Sequence, residues 1–394
     1  MSGVSLSAHL FRDIADDPPG TFALLRAAGP VHHDPETGIW FVPRYAEVSR
    51  LLLDNRLGPR SSEAATSDLD PAELATVTAL EELFRRWLVF DDGPTVATLR
   101  SAFTHSLNAA ALREWQAQLT GLAAQHATAI HEPGAELVTS FVEPYVTAAV
   151  SRLLGIAAEH QDPVAAWGRE LVGYLALDRY RADVVATADR ALRDLRSYFV
   201  TTYLRDGSGP LARRFVDLLK SGTADPEDLL AVFTQMLTGG LEPTCTALAH
   251  GMTLGTDDPQ FLTAFRHDPP AVVDEVLRLA CPFHFAPRTA LADIKVGEDV
   301  IPRGARVILV LASANRDTEA YDDPDLVSQV RPRRSHLTFG RGLHYCLGAR
   351  AAREILRAGL DSVDEAFGRN WPGVAAVWVR SPSMSRVTSL RIAT

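Results

Sequence analysis

The run Phe339-Gly340-Arg341-Gly342-Leu343-His344-Tyr345-Cys346-Leu347-Gly348 is the part of this sequence best suited to chemistry. Gly340 and Gly342 permit a tight turn with exposed backbone. Apolar residues at three- and four-residue spacing predict a helix immediately after it, over 349–360. Cys346 then stands at a helix N-terminus, where unpaired N–H groups and the helix dipole favour a thiolate. Gly348 leaves space for a large flat group beside the sulfur. A lone cysteine is more often a small buried apolar residue, but the glycines, His344 and the following helix point to a ligand. An ionised sulfur with donors around it and no bulk beside it suits a haem iron.

A second stretch, from Asp225 to about Leu254, reads as an unusually long helix. Asp225 can cap it, Pro226 suits the first turn, and Glu227 and Asp228 complement the dipole. Its middle reads Gly239-Gly240-Leu241-Glu242-Pro243-Thr244. Two glycines and a proline predict a kink, a widened groove, or a break into two helices. Glu242 offers a carboxyl group there. Thr244 offers a hydroxyl about 100° further round the helix than Pro243. A further helix, starting near Asp268-Pro269, carries Glu275 and Arg278 on one face. By default such a pair is a solvated bridge of small worth.

Helical periodicity dominates the rest, over 21–28, 46–53, 71–88, 96–106, 112–130, 142–154, 164–175 and 183–203. Strand signals are short: 31–32, 39–42, 307–311, 375–379 and 390–392. The polar, small-residue stretch 61–70 reads as a loop. With 394 residues, 46% hydrophobic, the chain can bury a large core. Its net charge of −10 argues against nucleic acid as a partner. Cys245, Cys281 and Cys346 are far apart and form no CxxC pair, which argues against disulfides and structural zinc. Residues 1–30 carry Asp13, Asp16 and Asp17 and no long apolar run. The expectation is a soluble cytoplasmic protein.

The segment from Phe339 to Gly348 resembles the cysteine loop of the cytochrome P-450 superfamily, Phe-Gly-x-Gly-x-His-x-Cys-x-Gly, at every fixed position. Glu275-Val276-Leu277-Arg278 resembles the family's Glu-x-x-Arg helix. Ala314-Asn315-Arg316-Asp317 resembles a common bacterial stretch, and Gly239–Thr244 the oxygen-binding region of the family's central helix. The resemblance spans about 22–392. It implies one domain over 1–394: a single triangular, mainly α unit with small β-sheets, and haem b between the central helix and the cysteine-loop helix. It implies that Cys346 ligates the iron and that Phe339, Gly340, His344, Gly348 and Arg288 contact the haem. In the family, Glu275 and Arg278 form a buried lock rather than a surface bridge.

The sequence also departs from the family pattern. The turn Asp91-Asp92-Gly93-Pro94 leads to Arg100, a haem-contacting arginine by resemblance. Val96 and Thr98 stand where the family usually has His and Arg, so either Arg100 and Trp87 compensate or the haem propionate is held differently. Glu242 stands at the family's acid position, with Gly240 before it, but Pro243 replaces the usual threonine. Thr244, Glu242 and water can stand in for that hydroxyl, the substrate can bring a donor, or peroxide can replace dioxygen; equally, an ordinary hydroxylase can simply tolerate the proline. By family position the substrate wall takes in 61–88, 167–180, Trp87, Leu237, Leu241, Phe283, His284, Phe285 and Met384. Phe283, His284 and Phe285 offer aromatic contact and one polar handle, though alternate residues of an extended segment face opposite ways.

Between 331 and 353 stand Arg331, Arg333, Arg334, Arg341, Arg350 and Arg353, with no Asp or Glu. That local reversal of charge suits an acidic ferredoxin as electron donor. The expected function is a haem-thiolate oxygenase of bacterial secondary metabolism. It would hydroxylate, or couple oxidatively, an aromatic or peptide-derived small molecule such as an aromatic cyclic dipeptide. The alternatives are a peroxide-using haem enzyme and a non-catalytic haem-binding protein.

Overall fold

The computed structural model describes residues 9–59, 71–106, 109–131, 134–176, 181–206, 209–327, 334–369 and 371–393. The expected loop over 61–70 lies outside them. The chain gathers into two compact units. One takes residues 1–61, 246–349 and 367–394, the other residues 62–245 and 350–366. Among the described residues no helix is long and apolar enough to cross a membrane.

Among the described residues the first unit holds all the strands: β1 (His32–Asp34), β2 (Ile39–Val42), β3 (Leu57–Gly58), β4 (Phe285–Ala290), β5 (Ile294–Val296), β6 (Asp299–Ile301), β7 (Arg306–Val310), β8 (Val374–Arg380) and β9 (Ser385–Ile392). The main sheet runs β1-β2-β7-β4-β3, with only β2 and β7 parallel. Ile39–Val42 is an apolar run, and so is Arg306–Val310 after its exposed arginine; Phe41, Val42, Leu309 and Val310 are fully buried. β4 escapes the sequence pattern because Pro287 and Arg288 interrupt its alternation. The helix Pro269–Ala280 is capped by Asp268, whose side chain accepts from Ala271 N at 3.2 Å. It buries Val272, Val273, Val276 and Leu277.

The second unit is helical among its described residues. Its helices include Pro71–Arg85, Pro94–Ser106, Ala109–Ala127, Glu143–Leu154, Gln161–Ala176, Ala182–Tyr198 and Pro210–Lys220. The helix expected over 183–203 instead ends at Tyr198 and passes into a π-turn, Phe199–Tyr203. That turn brings Phe199 and Tyr203 onto Phe233, with ring centroids 5.3 and 4.6 Å apart. Tyr145 O–H donates to the Ile355 carbonyl at 2.9 Å, fastening the cysteine-loop helix, Ala349–Phe367, within this unit.

The long helix runs unbroken from Pro226 to Asp257 with Pro243 inside it. Of the alternatives left open at its middle, the break into two helices does not occur, and the reading as one long helix holds. Proline removes one N–H donor, and the helix is held on either side by buried Leu237, Leu241, Cys245, Ala247 and Leu248. At its start the Asp225 side chain accepts from Asp228 N at 2.8 Å.

Candidate active site

The cysteine loop is a chain of tight turns held by its own backbone. Gly340 and Gly342 have φ of 66° and 69°, the left-handed region that favours glycine. Cys346 N donates to Phe339 O at 2.9 Å, Gly340 N to Leu337 O at 2.8 Å, and Tyr345 N to Gly342 O at 3.1 Å. A Cβ on Gly342 would meet Leu52 O at 3.2 Å, so this glycine also permits close approach. His344 ends a 3-10 turn, Gly342–His344, and Phe339 lies 5.4 Å from the His336 ring. The helix begins at Ala349, whose N–H donates to Cys346 O at 3.3 Å.

The three cysteines differ in kind. Cys245 and Cys281 are buried, while Cys346 is exposed. Burial pushes the Cys281 thiol up to about 12. Burial also pushes the Cys245 thiol up, and the Glu242 carboxylate adds to it. Both stay protonated thiols. Cys346 is the cysteine whose sulfur a cofactor can reach. A Cβ at Gly348 would stand 3.9 Å from that sulfur, in ordinary contact with it, so glycine leaves this side of the sulfur without a side chain. The donor set and the space beside it fit a haem iron.

Behind the loop lies a dense polar network in the first unit. Arg278 is 1% exposed. Its Nε donates to Glu275 Oε1 at 2.8 Å and its Nη2 to Glu275 Oε2 at 3.0 Å. The same guanidinium donates to the carbonyls of Asn315, Pro324 and Leu326 at 2.7, 2.6 and 3.0 Å. It also lies 4.9 Å from the Tyr321 ring centroid. Asn315 carries this order to the loop. Its amide donates to Arg278 O and Thr338 Oγ1, and its Oδ1 accepts from Leu337 N at 2.7 Å. Thr338 and Asn315 were not picked out as anchors in the sequence, because single polar residues carry no pattern that shows where their partners fold.

In the second unit the long helix presents Glu242 and Thr244, both buried, around Pro243. Leu237 and Leu241 are fully buried. A Cβ on Gly240 would meet Val150 Cγ1 at 3.1 Å, so this glycine serves helix packing. Arg169 and Glu143, on separate helices, bear electrostatically on Cys245 together with Glu242. Trp87 does not offer its N–H to a ligand: Nε1 donates to Thr234 Oγ1 at 3.1 Å. That corrects the expectation that Trp87 compensates for missing cations. Arg100 lies on the helix Pro94–Ser106, half-buried.

Of the aromatic run, only Phe283 is exposed, at 40%, and it pairs with Met384 as an isolated β-bridge. Phe285 packs instead on Phe11, Phe22 and Phe41. His284 is buried and both its ring nitrogens are engaged by Pro382 O and Ser385 Oγ. It is therefore not the polar handle expected from the sequence. Arg288 is buried on β4, with Nη1 donating to Pro287 O at 2.8 Å. Residues 177–180 of the expected substrate wall lie outside the described residues.

Residues 270–367 match the family profile described as Cytochrome P450. Vitamin D3 dihydroxylase of Streptomyces griseolus is 30% identical over 366 residues, covering 88% of this chain and 86% of that protein. Cyclomarin C epoxidase CymV of Salinispora arenicola is 26% identical over 388 residues, 94% of each. Among solved structures, P450BioI in complex with an acyl carrier protein ligated to hexadec-9Z-enoic acid superposes with a TM-score of 0.85 at 20% identity. It covers 97% of this chain and 100% of that one. Most of the curated relatives are named as hydroxylases or an epoxidase, which sets aside the non-catalytic alternative.

Proposed function

The chain belongs to the cytochrome P450 family of haem-thiolate monooxygenases, and from that premise we propose that it oxidises an aromatic or peptide-derived small molecule of bacterial secondary metabolism, with Cys346 as the iron ligand. The observation that supports this most is the loop over 339–348, with an exposed cysteine set by backbone hydrogen bonds just before a helix. Bound haem b supplies the electron-transfer and dioxygen chemistry. Phe339, Gly340 and Gly348 shape the surroundings of the sulfur. Arg288, His344 and Arg100 supply donors for the haem carboxylates. Glu242 supplies a carboxylate and Thr244 a hydroxyl, and with water they relay protons in place of the hydroxyl that Pro243 lacks.

Names among the relatives favour oxygen insertion over coupling: one is an epoxidase and others are hydroxylases. Phe283 offers the substrate an aromatic face. Since His284 is spent on the fold, the polar groups that orient a cyclic dipeptide come from elsewhere in the wall. Titration of the ferric protein with aromatic cyclic dipeptides is expected to shift the Soret band from low to high spin. Reductant is then consumed only when the shifting compound is present. No shift with any of them would sink this substrate class.

Pro243 favours a second reading, peroxide-driven oxidation. Glu242 weighs against a carboxylate substrate for it, by charge repulsion. Turnover with hydrogen peroxide and no electron donor would select this reading.

For the electron donor we propose an acidic ferredoxin. Arg341 is held by the fold, donating to Ser49 Oγ at 2.6 Å and Ser335 Oγ at 2.8 Å. Arg334 and Arg350 are exposed. Arg331 and Arg333 lie outside the described residues. Arg350→Glu is therefore the informative variant. It is expected to slow ferredoxin-driven reduction about tenfold at low salt, less at high salt, with substrate affinity kept. Equal reduction rates would remove this partner.

A further inference from the structure

His284 stands where the β8–β9 hairpin tip meets the start of β4. The ring is 3% exposed and packs edge-on against Phe22, with centroids 5.5 Å apart. Nδ1 lies 3.0 Å from Pro382 O, and a carbonyl can only accept, so Nδ1 carries the hydrogen. Nε2 then accepts from the Ser385 hydroxyl at 3.1 Å. Burial lowers the imidazole pKa to about 4, which keeps this neutral tautomer at ordinary pH. The backbone adds His284 N to Ser383 O at 2.8 Å and Ser385 N to Pro282 O at 3.3 Å. Every one of these bonds joins the segment 282–284 to the tip 382–385. Between them sits the bridge of exposed Phe283 with buried Met384. A hairpin tip is ordinarily among the more mobile parts of a fold; here one ring ties it from both sides.

We propose that His284 is a positioning residue that latches the hairpin tip, and so fixes Phe283 and Met384 as a rigid part of the substrate wall that sets selectivity. This rests on the reading of those residues as substrate wall. A side chain too short to span from Pro382 O to the Ser385 hydroxyl cannot hold both. Asparagine keeps a donor near the Nδ1 position and loses the Ser385 contact. Alanine loses both.

The test uses the haem-loaded protein and its His284→Asn and His284→Ala variants. Amide hydrogen exchange at 381–385 is expected to quicken about tenfold in His284→Ala and less in His284→Asn, with exchange elsewhere unchanged. The azoles imidazole and 4-phenylimidazole, titrated by the Soret shift of nitrogen ligation, report on the wall. The larger azole is expected to lose its affinity advantage over the smaller in His284→Ala and partly keep it in His284→Asn. Unchanged exchange at 381–385 overturns the latch. Faster exchange with an unchanged azole ratio overturns the role in selectivity. Absence of any azole shift in the unaltered protein overturns the haem-site reading itself, whatever the exchange shows.

Discussion

Replacing Cys346 with alanine is expected to abolish the thiolate-ligated spectrum of the reduced, carbon monoxide-bound protein. Oxidation of substrate should fall on the order of 10³-fold or more, the scale on which loss of a reacting group shows. The chain has two other cysteines, and neither can substitute. Cys245 and Cys281 are buried, with thiols held protonated by that burial. Alkylation separates the three directly. In haem-free folded protein iodoacetamide should label Cys346 and spare the other two, and haem loading should protect Cys346. Labelling that haem does not slow, together with a thiolate spectrum that survives in Cys346→Ala, would place the iron elsewhere. The fold should tolerate the change. The loop is fixed by backbone bonds from residues 340, 345, 346 and 349, none of which uses the sulfur.

Arg278→Leu is expected to be the most damaging single change to stability, by about 3–5 kcal/mol, the scale for removing one partner of a buried ion pair. That is a large share of a typical domain's stability, so the variant should yield little haem-loaded protein. The measurement is the urea midpoint of the haem-free form, with haem occupancy beside it. A companion variant shows what the arginine does. Where a buried pair is only a pair, replacing both members with apolar residues is often neutral. Arg278 also satisfies the carbonyls of Asn315, Pro324 and Leu326. Glu275→Leu with Arg278→Leu should therefore stay strongly destabilised, because those three acceptors lose their donor. A double variant restored to ordinary stability would reduce the network to a simple ion pair. Asn315→Ala should act differently, since it reaches Leu337 N and Thr338 Oγ1 beside the cysteine loop. Its effect is expected to fall more on haem retention than on the urea midpoint.

These contacts show what was legible in the residue order and what was not. The cysteine loop was legible because its chemistry is local. Glycines at two left-handed positions, a sulfur and a following helix lie within ten residues, and short-range sterics decide the turn. The cap at Asp225 was legible for the same reason, its side chain reaching a backbone N–H three residues on. The pattern of Gly239, Gly240 and Pro243 was local too, yet it left open whether the helix continues. A proline's cost is intrinsic to the chain, whereas the burial that carries the helix through it is supplied by residues far away in sequence. The aromatic run at 283–285 divided for a similar reason. Residue order shows three rings in a row. Only the packing of β4 against Phe11, Phe22 and Phe41, and of the hairpin tip against His284, decides which ring is left exposed. Sequence by itself determined the turn that presents Cys346, the helix that follows it and the mainly helical class, because spacing within a turn or two carries them. Tertiary structure alone decided which polar groups were already satisfied, since a hydrogen-bond partner some hundred residues away leaves no trace in the local order.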